Sequence, residues 1–164
     1  MEITLEPGYD DRKELEQLFD EYIAMLLRQQ PEFQRYLTLQ NYDSELEHLW
    51  DKYGPPGGRL YLARVDGTAA GCVALRQIDR ESCELKRLYV HPAFRGHGLA
   101  GRLVDQVLSD AGAIGYRAVL LDTFPFLEDA IRLYQKRGFR EVPSYNGTPM
   151  QQLIYLRKDL EQAP

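Results

Sequence analysis

The chain has 164 residues, of which 44% are hydrophobic and 27% charged, and its net charge is −5. These values are typical of a globular domain and exclude a disordered chain, a collagen-like chain and a disulfide scaffold. We therefore expect a single domain over residues 1–164. No stretch approaches the ~20 apolar residues of a membrane span, and the acidic N-terminus does not resemble a signal peptide. With only two cysteines, we expect a cytoplasmic protein that binds neither membranes nor, given its acidity, nucleic acid.

Hydrophobic periodicity predicts helices in the N-terminal third of the chain. Apolar residues recur at three- and four-residue steps over 10–27 and again over 43–53. Asp11 and Glu14 resemble a capping box at the start of the first helix, and a run of Gly and Pro ends the second helix. Residues 31–41 show no clear periodicity, so we interpret them as a loop or a broken helix.

The remaining elements alternate between strands and helices. Two strands, at 59–65 and 69–77, flank Asp66-Gly67, which is a strong hairpin turn. The further elements are, in order, a strand at 84–90, a helix at 98–111, a strand at 118–122, a helix at 127–137 and strands at 140–145 and 151–157. This order predicts an α/β fold in which helices flank a mixed sheet, with a meander followed by crossover connections.

A glycine-rich segment, RGHGLA at 95–100, joins the third strand to the next helix. Glycine lets backbone N–H groups approach an anion closely, and the N-terminus of the helix behind it favours negative charge. We therefore expect either a phosphate-binding loop or a tight turn without a ligand. The segment lacks the Lys and Ser/Thr of a P-loop. It also lacks the acidic strand end, about 20 residues later, of a dinucleotide-binding fold.

The same segment resembles the Gln/Arg-x-x-Gly-x-Gly/Ala signature of the GNAT superfamily of N-acetyltransferases. The strand LKRLYVHP at 85–92 resembles that family's fourth strand, and AIRLYQKRGF at 130–139 resembles its helix after the fifth strand. The resemblance covers residues 59–157. It implies the GNAT acyl-CoA N-acyltransferase fold, in which the mixed β-sheet is splayed between its fourth and fifth strands.

The resemblance implies that acetyl-CoA binds in this gap, without a metal. Backbone groups of Leu88, Tyr89 and Val90 would pair with the pantetheine arm, and backbone N–H groups of the glycine loop would hold the pyrophosphate. The residues of that loop are Arg95, Gly96, His97, Gly98, Leu99 and Ala100. Basic residues, among them Arg102 and Arg137, would gather around the phosphates. The acidic excess would then fall on the N-terminal helices, where a cationic acceptor enters.

Acetyl transfer to an amine needs a base that takes the ammonium proton and an acid that protonates the leaving thiolate. Tyr134 matches the family's tyrosine near the CoA sulfur, so it is the candidate acid, with core packing as the alternative. Glu84, at the start of the fourth strand, is the candidate base, and a solvated carboxylate is the alternative there. Glu81 and Asp122 are further candidates for the base. Strand alternation predicts one face for Glu84, Lys86, Leu88 and Val90.

The resemblance places the acceptor site between residues 28–58 and the loop 143–150. Aromatic and acidic side chains there, including Glu45, suit an ammonium-bearing small molecule, whereas Arg28 or Arg35 would suit a substrate carboxylate. We predict acetyl transfer from acetyl-CoA to the primary amine of a small molecule or amino acid, by direct attack in a ternary complex. The alternatives are acetylation of a protein N-terminus or lysine, and a catalytically silent acyl-CoA-binding or sensing module. The resemblance also allows a homodimer.

Overall fold

The structure is a computed structural model that describes residues 1–34, 37, 42–147 and 152–161, with the backbone alone for Asp43. Arg35 and residues 148–150, which the sequence placed at the acceptor site, lie outside these ranges. The helices and strands are β1 (Ile3–Pro7), α1 (Arg12–Gln29), α2 (Tyr42–Glu47), α3 (Leu49–Tyr53), β2 (Arg59–Val65), β3 (Thr68–Gln77), β4 (Ser82–Val90), α4 (Leu99–Ile114), β5 (Ala118–Thr123), α5 (Glu128–Lys136), β6 (Arg140–Val142) and β7 (Ile154–Asp159).

The strands form one mixed sheet in the order β1-β2-β3-β4-β5-β7-β6. Strands β1 to β4 are antiparallel neighbours, whereas β4 and β5 are parallel. A parallel pair needs a crossover connection, and α4 supplies it. Strand β7 lies between β5 and β6 and is antiparallel to both. The predicted α/β fold, with a meander followed by crossovers, is therefore confirmed.

The edge strand β1 was not predicted from the sequence. It has five residues, too few for its alternation to stand out beside the long helix that follows. Arg64 on β2 fixes both elements, because its Nε lies 2.5 Å from Glu6 on β1 and its Nη1 lies 2.7 Å from Glu14 on α1. The predicted capping box is wrong: Asp11 makes no side-chain capping bond, and its carboxylate also lies beside Arg64, at 3.3 Å.

Three further boundaries differ from the prediction. The helix predicted over 43–53 is two short helices that meet at His48. The strand predicted over 140–145 ends at Val142, and the last strand begins at Ile154. The predicted pattern of elements is otherwise retained, to within a few residues at each end.

Helices cover both faces of the sheet, and each face has its own hydrophobic core. Helices α1, α2 and α3 pack on the face that includes Cys72 and Ala74. Helices α4 and α5 pack on the opposite face, which includes Val73 and Leu75. The two cores take alternate residues of β3, as the period of a strand requires. The sheet thus separates the N-terminal helices from the helix that follows the glycine loop.

A buried ion pair joins α2 to β4. Arg87 Nε and Nη2 donate to the two carboxylate oxygens of Glu45, at 2.8 and 2.9 Å, and Lys52 donates to the same carboxylate. Burial alone raises the pKa of Glu45, but Arg87 and Lys52 outweigh this effect and lower it to about 2. Glu45 is thus neutralised by protein cations and is not presented to a cationic acceptor, in contrast to the expectation from the sequence.

We expect Glu45→Gln to lower the free energy of unfolding by about 3–5 kcal/mol, because it leaves the guanidinium of Arg87 buried without its charged partner. The native pKa of Glu45 lies below its usual 4.5. The stabilisation by the ion pair is therefore complete above pH 4.5 and is lost as the pH falls through about 2. Urea unfolding at pH 7 and pH 3 measures the difference, which shrinks at the lower pH.

The matched control is Glu81→Gln, which removes an exposed carboxylate 3.8 Å from Arg117. An exposed ion pair contributes little, so this substitution changes the free energy of unfolding by less than about 1 kcal/mol. Equal effects of the two substitutions would contradict a structural role for the buried pair.

Candidate active site

Strands β4 and β5 diverge after a short contact and open a cleft. They pair only through residues 82–84 of β4 and 118–120 of β5, although β4 continues to Val90 and β5 to Thr123. The cleft has a volume of about 490 Å³. Its lining comes from α1, β4, the glycine loop, the end of β5 and α5. The splayed sheet that the resemblance implied is present between the fourth and fifth strands.

A β-bulge interrupts β4 beside the cleft. Ala74 of β3 lies opposite Lys86, whereas Cys72, two residues earlier, lies opposite Tyr89. Two residues of β4 therefore oppose one residue of β3, and the first of them, Arg87, has a φ of +60°. This combination defines a bulge, which breaks the regular ladder and bends the strand.

The bulge makes the predicted side-chain alternation wrong. Glu84 and Lys86 lie on the face covered by the N-terminal helices, as Tyr89 does, whereas Leu88 and Val90 pack with the core on the opposite face. The four residues assigned to one face are therefore split between two. The physical reason is that one inserted residue shifts the phase of every side chain that follows it.

Two glycines in the left-handed region shape the loop between β4 and α4. Gly96 and Gly98 have φ angles of +86° and +76°, which residues with a side chain adopt at a cost. A Cβ added at either position would meet no atom within 4 Å, so that side of the loop is open. Gly98 is the N-cap of the 16-residue helix α4, whose first turn contains no acidic residue. These features favour the expectation of an anion site over that of a plain turn.

Eight of the nine residues predicted to bind the cofactor line the cleft, namely Leu88, Tyr89, Val90, Arg95, Gly96, Gly98, Leu99 and Ala100. His97 is exposed and is not part of the lining. Arg95 donates from Nε to the carbonyl oxygen of Val90 at 3.1 Å. Arg137, assigned to the basic group around the phosphates, donates to Asp105 at 2.7 Å, so part of its charge is already offset.

Tyr134 lies in the wall of the cleft. It is 5% exposed, and its ring packs edge-on against that of Phe139, with centroids 5.5 Å apart. Burial, with further contributions from Tyr22 and Asp122, raises the pKa of the phenol above its ordinary value. The side chain is therefore both a core residue and a protonated group at the surface of the cleft.

The structure does not bring Glu84 into the lining of the cleft. Its carboxylate accepts hydrogen bonds from Arg76 Nε at 2.8 Å and from the Tyr145 hydroxyl at 2.5 Å. Burial alone raises the pKa of Glu84, but Lys86 and Arg76 outweigh it, so the pKa is lowered. A carboxylate held in this way stays ionised and is a weaker proton acceptor.

The two further candidates for the base differ in position. Glu81 is exposed, beside Arg117, and does not line the cleft. Asp122, at the end of β5, does line it and accepts a hydrogen bond from Asn146 at 2.9 Å. Of the carboxylates considered from the sequence, Asp122 is the one that the structure places at the cleft.

Lys86 is a lining residue that the sequence did not single out. Its side chain is 10% exposed. Burial, together with the positive charge of Arg87, lowers its pKa to about 7. The apolar residues around Lys86 in the strand LKRLYV indicated that it could be buried. Strict strand alternation, however, placed it on the same face as Leu88, so the sequence did not predict that it has different surroundings.

Three further features of the described part of the chain concern possible metal ligands, membrane spans and thiols. Within residues 1–34, 37, 42–147 and 152–161, no three His, Cys, Asp or Glu side chains form a group suited to a metal ion. None of the helices in those ranges combines the length and the apolar character needed to cross a bilayer. Cys72 and Cys83 are buried free thiols, and burial raises the pKa of both, so neither is a nucleophilic thiolate at neutral pH.

Comparisons with known sequences agree with this geometry. The sequence model of the Acetyltransferase (GNAT) family matches residues 16–139. An uncharacterized N-acetyltransferase of Schizosaccharomyces pombe is 37% identical over 150 residues, which cover 90% of this chain and 92% of that protein. The N-acetylaspartate synthetase of Homo sapiens is 38% identical over 100 residues, or 60% of this chain and 32% of that protein.

Solved structures agree as well. An acetyltransferase of the GNAT family from Staphylococcus aureus Mu50 has a TM-score of 0.76 and 20% identity, covering 98% of this chain and 100% of that one. A GNAT family acetyltransferase from Elizabethkingia anophelis, solved with acetyl-CoA bound, has a TM-score of 0.55 and 29% identity, covering 63% of this chain and 77% of that one. The fold that the resemblance implied is therefore confirmed.

We expect Gly98→Ala to weaken the binding of coenzyme A by about tenfold or more, because the strained φ and the added methyl both disturb the loop surface. Isothermal titration calorimetry measures the Kd. Gly115→Ala is the matched control. It has a φ of +109° and equally open surroundings, but lies at the other end of α4. It should cost similar stability in urea and leave the Kd unchanged; equal losses of affinity in both variants would contradict an anion site at Gly98.

Proposed function

The chain belongs to the GNAT acetyltransferase family, and we propose that it moves an acetyl group from acetyl-CoA directly to the primary amine of a small molecule or amino acid, in a ternary complex. Family membership, with relatives named N-acetyltransferases, makes it an acetyl-CoA-dependent N-acetyltransferase. The observation that carries the proposal is the cleft between β4 and β5, which has an open glycine loop and a buried tyrosine in its lining.

The residues of the cleft fit acetyl-CoA. The glycine loop offers backbone N–H groups and the positive end of a long helix to a pyrophosphate. After Glu84, β4 has no partner strand on its cleft side, so the backbone of Leu88 to Val90 is available to a pantetheine arm lying along it. The relative solved with acetyl-CoA bound supports this assignment.

The cleft leaves room for a small acceptor. Its whole volume, about 490 Å³, lies within the range of single small-molecule sites, and acetyl-CoA takes part of it. The relative named N-acetylaspartate synthetase favours a small amine over a protein N-terminus or lysine. A protonated tyrosine in the wall of the cleft favours catalysis over an acyl-CoA-binding module without it, although the same ring also packs on Phe139.

The chemistry follows from the groups that line the cleft. The neutral amine attacks the thioester carbonyl carbon, the C–S bond breaks, and the departing thiolate takes the phenolic proton of Tyr134. The proton that the acceptor amine loses goes to a carboxylate. Asp122 is better placed than Glu84 to receive it, because Asp122 lines the cleft. Glu84 would act only through an intervening water.

The release of thiol from acetyl-CoA, measured across a panel of amines, amino acids and peptides, tests this function. We expect turnover with small amines, and we expect Tyr134→Phe to lower kcat by about tenfold or more, with little change in the Kd for coenzyme A. Tyr61→Phe is the matched control, because that tyrosine bonds to Asp110 and does not line the cleft. Tight binding of coenzyme A without turnover on any acceptor would favour the sensing module.

The dependence of kcat/KM on pH separates the two carboxylates. We expect Asp122→Asn to lower kcat/KM by about tenfold or more and to remove the acid limb of the profile, which reflects protonation of the base. We expect Glu84→Gln to leave that limb in place, since its carboxylate is held by Arg76 and Tyr145. The opposite pattern would return the role of base to Glu84.

A further inference from the structure

Lys86 is a largely buried amine with unused hydrogen-bonding capacity inside the cleft. Its side chain is nine-tenths buried, and the carboxylate within 4 Å of its ammonium, that of Glu84, is 3.9 Å away, beyond hydrogen-bond distance. Within the described ranges, Nζ donates no hydrogen bond to the protein. An ammonium has three donors, and Nζ is not one of the fully buried atoms without a partner in the described ranges, so it is reached from the cleft. A ligand in the cleft that offers an acceptor group would therefore find donors there.

Basic groups outnumber carboxylates in the cluster around Lys86. Lys86 belongs to a cluster, within the described residues, of four basic side chains and two carboxylates, in which each carboxylate lies within 4 Å of two basic groups. The basic side chains are Arg76, Lys52, Lys86 and Arg87, and the carboxylates are Glu45 and Glu84. Three further carboxylates line the rest of the cleft, namely Asp122, Glu128 and Asp129, so the excess of basic groups is confined to the cluster around Lys86. The lowered pKa of Lys86 is a consequence of burial and of Arg87 beside it.

We propose that Lys86 binds a carboxylate of the acceptor, and that the acceptor is therefore a primary amine that also bears a carboxylate, such as an amino acid. This inference rests on the proposed function and narrows its substrate class. Such a ligand supplies a hydrogen-bond acceptor for Nζ and a negative charge that favours the protonated form of Lys86. Arg87 lines the same cleft, and two of its five N–H donors bind Glu45. Because that carboxylate already offsets the charge of Arg87, we assign the contact to Lys86.

The opposite wall of the cleft complements the other end of such an acceptor. Asp122 on β5 lines the same cleft as Lys86 on β4. A carboxylate ligand held at Lys86 leaves its ammonium to face the side where Asp122 lies. The sequence suggested instead that a cationic acceptor enters at the acidic N-terminal helices. That arrangement does not use Glu45, because its carboxylate is bound by Arg87 and Lys52.

The test compares amino acids with their carboxamides, with rates expressed per neutral amine. A hydrogen bond between charged partners is lost when the carboxylate becomes an amide, so the wild-type protein should favour the acid by about 30-fold or more in kcat/KM. In Lys86→Met the preference falls to about threefold or less, through a higher KM for the acids, while kcat for the amides is maintained. Lys86→Arg retains the preference, since it keeps the charge.

Lys13→Met, at an exposed position of α1, is the matched control and keeps the wild-type preference. If Lys86 were instead the base, Lys86→Met would lower kcat for acids and amides alike, and this would overturn the inference. A wild-type protein that turns over neutral amines as well as amino acids would also overturn it, while leaving the proposed function intact.

If the protein turns over no amine, the proposed function is wrong, and a binding measurement then tests the role of Lys86 separately. Calorimetry of N-acetyl amino acids and their carboxamides, with coenzyme A present, then reports on Lys86 without catalysis. Tighter binding of the acids that Lys86→Met abolishes supports the inference; equal binding overturns it. Thermal unfolding of each variant confirms that the loss is not a failure to fold.

Discussion

The arrangement of the cleft depends on the bulge in β4. A residue with a side chain at φ +60° is unfavourable by itself, and Arg87 is held there by the bidentate bond to Glu45 and by the ring of Tyr42, 5.5 Å from its guanidinium carbon. The ion pair therefore fixes the strand as well as α2. Without the inserted residue, Tyr89 would face the other core and the strand would present a different edge to the cleft.

The net charge of −5 describes the chain but not its cleft. The glycine loop offers the positive end of α4, and the described cluster around Lys86 contains more cations than carboxylates. Both regions suit anionic groups, whereas several acidic residues of the N-terminal helices pair with protein cations or face solvent. Overall charge therefore constrains solubility and non-specific binding, and the ligand preference depends on where the buried charges lie.

Features set by residues close together in the sequence could be predicted, whereas features set by contacts between distant residues could not. The glycine loop and the helix that carries Tyr134 lie where the sequence predicted them, because local residue types determine both. Gly96 and Gly98 supply a backbone conformation that other residues resist, and hydrophobic periodicity indicates the helix. The choice of Tyr134 itself came from the family resemblance, and its role stays a prediction. The bulge was not predictable, since strict alternation is the default for a strand and the stabilising partner, Glu45, is 42 residues away. The hydrogen bond between Glu84 and Tyr145 and the surroundings of Lys86 also depend on residues far apart in the sequence, so they could not be predicted either.

The short pairing of β4 with β5 puts the proposed ligand site at the centre of the sheet and not at an outer edge. Backbone groups buried within a sheet must find partners, and β4 has none from β5 beyond Glu84. Closing the gap with regular pairing would satisfy those groups but would bury Lys86 and Tyr134 with no ligand to contact. The sheet is stable when open because its two faces have separate cores, one formed with α1 to α3 and the other with α4 and α5. Stability therefore comes from the faces of the sheet, which leaves the gap between the strands free for function.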